Sequence, residues 1–229
     1  MIYKVLFLVF NLILYFLWRL KQFLNANLIP SYPMFDISFL DISASLGLCA
    51  SGILTLNFLL GMLLSTGYKA NKYWKRLPIK LQQLNIERIH NFTAYLAIAL
   101  VVLHPIFLLL DKNAGFNFSH VLLPLTAPKQ AWMVLLGVIA FYAILVVIIS
   151  SQKIIKKRLK FRAWKNIHLI SYGTALLFLV HGLLMDPLLK DRPTDWIDPE
   201  KLLSEISILV ILVASYYRYK YFVKKAAKK

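Results

Sequence analysis

Four histidines lie inside two strongly apolar stretches of the sequence. His90 and His104 are 14 residues apart in one stretch, and His168 and His181 are 13 residues apart in another. A fifth, His120, lies in a connection between such stretches. Titratable side chains are costly inside a membrane and usually mark functional sites. Because neutral imidazole ligates zinc, copper and haem iron, the two pairs predict a metal or redox centre.

The spacing favours two centres at two depths. If both stretches are helices that run in the same direction, His90 and His168 share one level, and His104 and His181 share another. The two levels are separated by ~21 Å along one helix and ~20 Å along the other. Zinc requires three or four protein ligands, whereas haem supplies four nitrogens and needs one or two axial ligands. Two histidines per level therefore match bis-histidine haem better than a bare metal ion.

Other interpretations stay open. The histidines could form a proton relay in a channel or transporter, although such relays usually include carboxylates within the spans. A structural or assembly factor of the membrane is a further alternative. The 13-residue spacing also leaves His181 ~140° away from His168 around an ideal helix. Helix tilt, a bulge near Gly173, or haems that meet different sides of the helix would reconcile this.

The elements that position the histidines are membrane-spanning helices. Hydrophobic residues make up 59% of the 229 residues, against roughly 45–50% in soluble domains. A span needs about 20 apolar residues. The sequence predicts an all-α membrane protein, a bundle of six such helices: Ile2–Trp18, Phe39–Thr66, Ile89–Leu110, Trp132–Ser150, Ile167–Leu184 and Leu202–Tyr221. We expect the first to be a retained span and not a cleaved signal peptide, because no A-x-A-like site follows it.

The charge distribution predicts the orientation of the spans. Lys and Arg number 27 against 10 acidic residues, a formal charge of +17. Twenty of the 27 lie at Lys4, in residues 66–88, in residues 151–165 and after residue 217. Five acidic residues cluster between 186 and 200, on the opposite side. The positive-inside rule then predicts that both termini are cytoplasmic. Because the charge lies in short patches between spans, we expect no nucleic-acid binding.

Cations near the histidines are candidate partners for haem carboxylates. Arg88, Arg162 and Lys165 lie within one or two turns of the His90 and His168 level, and guanidinium binds carboxylates well. Lys112, Lys190 and Arg192 lie on the outer side, where they could serve the outer haem or attract an anionic chelate. Ordinary charge anchoring of the spans explains the same residues.

Residues Glu87 to Gly182 resemble the ferric reductase-like transmembrane domain. This family includes the membrane halves of ferric-chelate reductases and NADPH oxidases and, more distantly, the haem subunit of periplasmic methionine sulfoxide reductase. The resemblance is carried by His90-x13-His104 and by Trp164-x3-His168-x12-His181-Gly182. It implies two b-type haems, with His90 and His168 as ligands of the inner haem and His104 and His181 as ligands of the outer haem.

The resemblance also implies electron transfer from a cytoplasmic flavin to an external acceptor. We expect one domain over residues 1–229, with a haem-binding core at about 87–184 and no soluble flavin or nucleotide domain, because no G-x-G-x-x-G or P-loop sequence occurs. The donor would be a separate flavoprotein or a quinol. The acceptor would be a ferric chelate, oxygen or a periplasmic protein. A haem subunit for a periplasmic reductase is the alternative. We expect the protein to lie among the lipids of a bacterial inner membrane.

Overall fold

The computed structural model describes residues 38–185 and 199–227, and within these ranges the regular structure is helical. We number the α-helices in chain order. They are α1 (Phe39–Ser65), α2 (Ile79–Gln82), α3 (Ile86–Leu110), α4 (Phe118–Leu122), α5 (Ala131–Ser151), α6 (Lys153–Arg158), α7 (Phe161–Leu184) and α8 (Pro199–Ala226). Short 3-10 turns lie at Tyr68–Ala70, Trp74–Arg76 and Pro124–Thr126.

Five helices of the described residues are long and apolar enough to cross a membrane: α1, α3, α5, α7 and most of α8. They confirm five of the predicted spans. The first predicted span, Ile2–Trp18, lies outside the described residues. Helix α7 begins at Phe161, six residues before the predicted start at Ile167. The extra turns hold Arg162 and Lys165, and charged side chains lower hydropathy without opposing helix formation.

The described residues form two compact units. The smaller unit contains residues 56–91 and 209–227. Its core packs residues of α1 and α3 around two aromatic side chains of the intervening connection. The Tyr68 and Trp74 rings meet edge to face at 4.6 Å. These contacts hold the end of α1 against the start of α3, where His90 lies.

The larger unit contains residues 38–55, 92–185 and 199–208. In it, α1 runs antiparallel to α3, and α5 runs antiparallel to α7. Asp111 is buried just after α3, and its carboxylate accepts backbone N–H bonds from Leu40 at 3.1 Å, Asn113 at 3.0 Å and Ala114 at 3.1 Å. It thereby satisfies an N–H at the start of α1 that has no partner within that helix.

A bulge near Gly173 was one of the features considered to reconcile the histidine geometry. Helix α7 continues as an α-helix through Gly173, so the bulge considered there is not present. Its hydroxyls bond back to the helix instead: Ser171 Oγ donates to the His168 carbonyl at 2.6 Å, and Thr174 Oγ1 donates to that of Ile170 at 3.2 Å. Such bonds often bend a helix. In α3, Pro105 follows His104 directly and cannot donate a helical N–H bond.

Candidate functional site

His104 and His181 line one cavity of about 510 Å³ in the larger unit. Ligand sites commonly have volumes of roughly 300–1,000 Å³. The walls come from α1, α3, α4, α5, α7 and the first turns of α8, and most of their surface is apolar. The structure therefore brings together the two histidines that were predicted to share the outer level. An apolar chamber with two imidazoles in its wall suits a large, flat, apolar ligand that carries a metal.

The His104 ring is held by α1. Its Nδ1 lies 2.7 Å from the Ser43 carbonyl oxygen. A carbonyl oxygen only accepts, so Nδ1 carries the proton and Nε2 keeps its lone pair. The Ser43 hydroxyl donates to the His104 carbonyl at 2.8 Å, which ties the two helices together a second time. Gly47, one turn further along α1, leaves room for the ring, because a Cβ there would lie 3.1 Å from Nδ1.

The His181 ring is held in the same way by α5. Its Nδ1 donates to the Met133 carbonyl oxygen at 2.7 Å. Gly137 lies one turn further along α5, and a Cβ there would lie 2.9 Å from Cε1 of the ring. Within the described residues, Nε2 of His181 and of His104 makes no hydrogen bond. Metal-bound histidines characteristically donate their other N–H to a carbonyl or carboxylate, which fixes ring and tautomer.

His90 lies in the smaller unit with an equivalent arrangement. Its Nδ1 is 3.1 Å from the Asn57 carbonyl oxygen, and the Asn57 side-chain amide donates to the His90 carbonyl at 2.6 Å. A Cβ on Gly61 would lie 3.3 Å from Cε1 of the ring. The orienting carbonyl again comes four residues before a glycine on the facing helix.

This support could have been found in the sequence but was missed. Ser43-x3-Gly47 and Asn57-x3-Gly61 are 14 residues apart, the same interval that separates His104 from His90. The orienting residue and its glycine recur after 14 residues on α1, just as the histidine recurs after 14 residues on α3. Met133-x3-Gly137 supplies the same arrangement for His181. Backbone carbonyls leave no sequence signal, but the paired glycines do.

His168 is oriented differently. In the larger unit its ring stacks on Trp164, with centroids 5.2 Å apart and planes inclined by 27°. Its Nδ1 lies 3.4 Å from the Ser151 hydroxyl, which also receives the Trp164 indole N–H at 3.4 Å. Lys156 Nζ lies 4.0 Å from the Trp164 ring centroid. The His168 ring is therefore in contact with an aromatic ring and with a hydroxyl group. The predicted pairing of His168 with His90 stays a prediction.

The three predicted propionate partners are exposed. Arg88 lies on α3 in the smaller unit, and Arg162 and Lys165 lie on the first turns of α7 in the larger unit. Their role stays a prediction. His120 was placed only in a connection, but it lines the cavity with His104 and His181. It sits on α4, where its side chain and that of Asn117 form a reciprocal capping box.

The residues of the cavity fit haem better than a bare metal ion. Within residues 38–185 and 199–227, no group of three or more His, Cys, Asp or Glu side chains can hold a metal ion. Haem requires only the two axial imidazoles, since its porphyrin supplies the other nitrogens. The Ser51 hydroxyl lines the cavity and is buried without a hydrogen-bond partner in the part of the chain that the structure describes. A buried polar atom without a hydrogen-bond partner is expected in a site where a ligand supplies that partner.

Fold and site together define a class: an α-helical integral membrane protein whose spans carry histidines that are oriented by the facing helices. The chain belongs to the family of ferric reductase-like transmembrane components, whose family model matches residues 46–179. The match begins in α1, just before Gly47, and ends in α7, two residues before His181. Members of this family transfer electrons across membranes and generally bind haem. No curated protein matches the chain in a sequence comparison.

Proposed function

We propose that this protein carries electrons across the membrane through two b-type haems, from a donor on the cytoplasmic side to an acceptor outside. His104 and His181 hold the outer haem, and His90 and His168 hold the inner one. The observation that carries the proposal is the shared cavity of His104 and His181, with Nδ1 of both rings bonded to a backbone carbonyl. Bound haem supplies reversible one-electron oxidation and reduction at its iron.

The protein residues orient the two imidazole rings and surround them with apolar walls. The carbonyls of Ser43 and Met133 hold the two rings so that each presents its Nε2 lone pair. The donation from Nδ1 raises the basicity of the ligand nitrogen. The apolar walls keep water from the centre, and a low dielectric affects the redox potential of a metal held there. We place the protein in a bacterial inner membrane. The distribution of basic residues between the loops supports the cytoplasmic position of both termini.

We propose the electron donor and the electron acceptor as chemical classes. The proposed donor is a separate flavoprotein or a quinol, in keeping with the cytoplasmic flavin that the family resemblance implies. The acceptor is a ferric chelate, oxygen or a periplasmic protein. The exposed cations Arg88, Arg162 and Lys165 are candidates to meet the propionates of the inner haem.

A reduced-minus-oxidised spectrum of the purified chain tests the proposal, together with a haem-to-protein ratio. We expect a b-type spectrum and two haems per chain. His104→Ala and His181→Ala should each lower the ratio toward one, while His120→Ala, a cavity-lining histidine outside both ligand pairs, should leave it unchanged. A chain that binds no haem but conducts protons would contradict the proposal and support a histidine relay.

A further inference from the structure

A buried lysine lines the same cavity as His104 and His181. Lys201 lies in the first turn of α8, and only 7% of its surface is exposed. In the sequence it is one of the seven basic residues other than Lys4 that lie outside the basic-rich loops and tail. Lysine is almost never fully buried unless it is paired, because removing an ammonium from water is costly. Its position therefore calls for an anionic partner.

Among the described residues that line this cavity, the acidic one is Asp41, and its carboxylate is already engaged. Asp41 is exposed, and its Oδ2 accepts hydrogen bonds from the Ser38 hydroxyl at 2.7 Å and from the Ser38 backbone N–H at 3.1 Å. Water and Ser38 thus stabilise this carboxylate at the surface. Because Lys201 lines the cavity, a carboxylate on the ligand that fills the cavity is a candidate partner for its charge.

A neighbour of Lys201 on α8 lies close to the residue that follows His181. Ser204 is one turn further along α8, is 2% exposed and lines the cavity as well. Residues three apart share one face of a helix. The Ser204 hydroxyl lies 3.2 Å from where a Cβ of Gly182 would stand, and Gly182 follows His181 directly. One face of α8 therefore carries Lys201 and Ser204 on the wall of the cavity, and the Ser204 hydroxyl lies close to the backbone of Gly182.

We infer that Lys201 binds a propionate carboxylate of the outer haem and acts as a positioning residue for it. This inference rests on the proposed function. Haem joins a large apolar ring to two carboxylates, and the cavity joins apolar walls to one buried cation. A charge-assisted hydrogen bond from the ammonium to a carboxylate fixes the rotation of the porphyrin in its plane. Of the three cations considered for the outer haem, Lys112 is exposed, and Lys190 and Arg192 lie outside the described residues.

The test compares two porphyrins on the haem-depleted full chain in detergent: haem b, and haem b with both propionates esterified. Lys201→Gln should weaken the uptake of haem b by on the order of tenfold. Lys201→Arg, which keeps a cation, should bind close to the wild type, and Lys112→Gln serves as the matched control for removal of an outer charge. The esterified haem should bind the wild type and Lys201→Gln equally.

The outcomes separate this inference from the proposed function. If Lys201→Gln binds haem b as tightly as the wild type does, or if it weakens both porphyrins alike, the propionate contact is refuted while haem binding stands. If the wild-type chain takes up neither porphyrin, the proposed function fails and the inference fails with it. A midpoint potential that falls in Lys201→Gln and stays constant in Lys201→Arg supports the contact independently, because a nearby cation favours the reduced haem.

Discussion

The contact between Gly137 and the His181 ring gives the sharpest prediction. In Gly137→Ala the new Cβ would lie 2.9 Å from Cε1, 3.0 Å from Nδ1 and 3.1 Å from Nε2. Since carbon contacts are optimal at about 3.5–4.0 Å, the ring must retreat from α5 by roughly 0.6–1 Å. Met133 is one turn away on the same face, so this retreat also stretches the 2.7 Å bond between Nδ1 and the Met133 carbonyl.

The displacement exceeds what a metal ligand tolerates. Functional groups must be held to about 0.5 Å of their working geometry. Overpacking of this kind typically costs about 1–3 kcal/mol, while alanine in a helix is favoured over glycine by about 1 kcal/mol. Gly137→Ala should therefore leave the helices folded. We expect it to weaken outer-haem binding by on the order of tenfold or more.

The assay is the haem-to-protein ratio of the purified variant and the low-spin signal of its outer haem. Gly47→Ala, with its closest ring contact at 3.1 Å, should have a smaller effect on His104, and Gly61→Ala, at 3.3 Å, the smallest effect, on His90. Gly173→Ala is the matched control, since nothing lies within 4 Å of its added Cβ. The reasoning is refuted if Gly137→Ala keeps its full haem content, or if Gly173→Ala loses as much.

Three further predictions concern stability and anchoring. Asp111→Ala should destabilise the larger unit by about 1–3 kcal/mol, because the backbone N–H groups of Leu40 and Asn113 lose their acceptor, whereas that of Ala114 keeps the Asp111 carbonyl oxygen at 3.2 Å. Thermal melting in detergent measures this. Asn57→Ala should cost about 1 kcal/mol in the same assay while keeping the His90 ring bond, since the backbone carbonyl remains. Burial and the Glu87 carboxylate raise the pKa of Tyr68 above its ordinary value. The contribution of the protonated Tyr68 side chain to the free energy of unfolding should therefore be complete below about pH 10 and should be lost as the pH rises through the raised pKa.

Hydropathy predicted the spans because the lipid requires long apolar helices whatever their neighbours are. It missed the first turns of α7, where basic residues continue a helix beyond the apolar stretch. It also missed α2, α4 and α6, which are short and depend on local caps and contacts. These elements carry too few residues for a periodic pattern to be detected.

The histidines were identifiable from their spacing, but their surroundings were not. The cavity shared by His104 and His181 depends on which face each helix presents, and this follows from packing rather than from composition. Lys201 was indistinguishable from loop charges because burial is a tertiary property. The glycines opposite the rings were visible in the sequence. Their meaning required the antiparallel register of α1 against α3 and of α5 against α7.

The contrast between His168 and the other three histidines leads to a last prediction. At His90, His104 and His181 the orienting acceptor is a backbone carbonyl, so a new side chain at the acceptor residue leaves it in place. At His168 the group 3.4 Å from Nδ1 is the Ser151 side chain. Ser151→Ala should therefore alter the spectrum and midpoint potential of the inner haem, whereas Met133→Leu should leave those of the outer haem unchanged.

Trp164 supplies the second half of this test. Its ring stacks on His168 and its indole N–H bonds the same Ser151 hydroxyl, so both contacts restrain one imidazole. Ser151→Ala removes only the hydroxyl, and Trp164→Phe keeps an aromatic ring but removes the N–H. If the hydroxyl orients His168, the two changes should shift the inner-haem potential in the same direction, with Ser151→Ala the larger. An unchanged potential in Ser151→Ala would refute an orienting role of this hydroxyl.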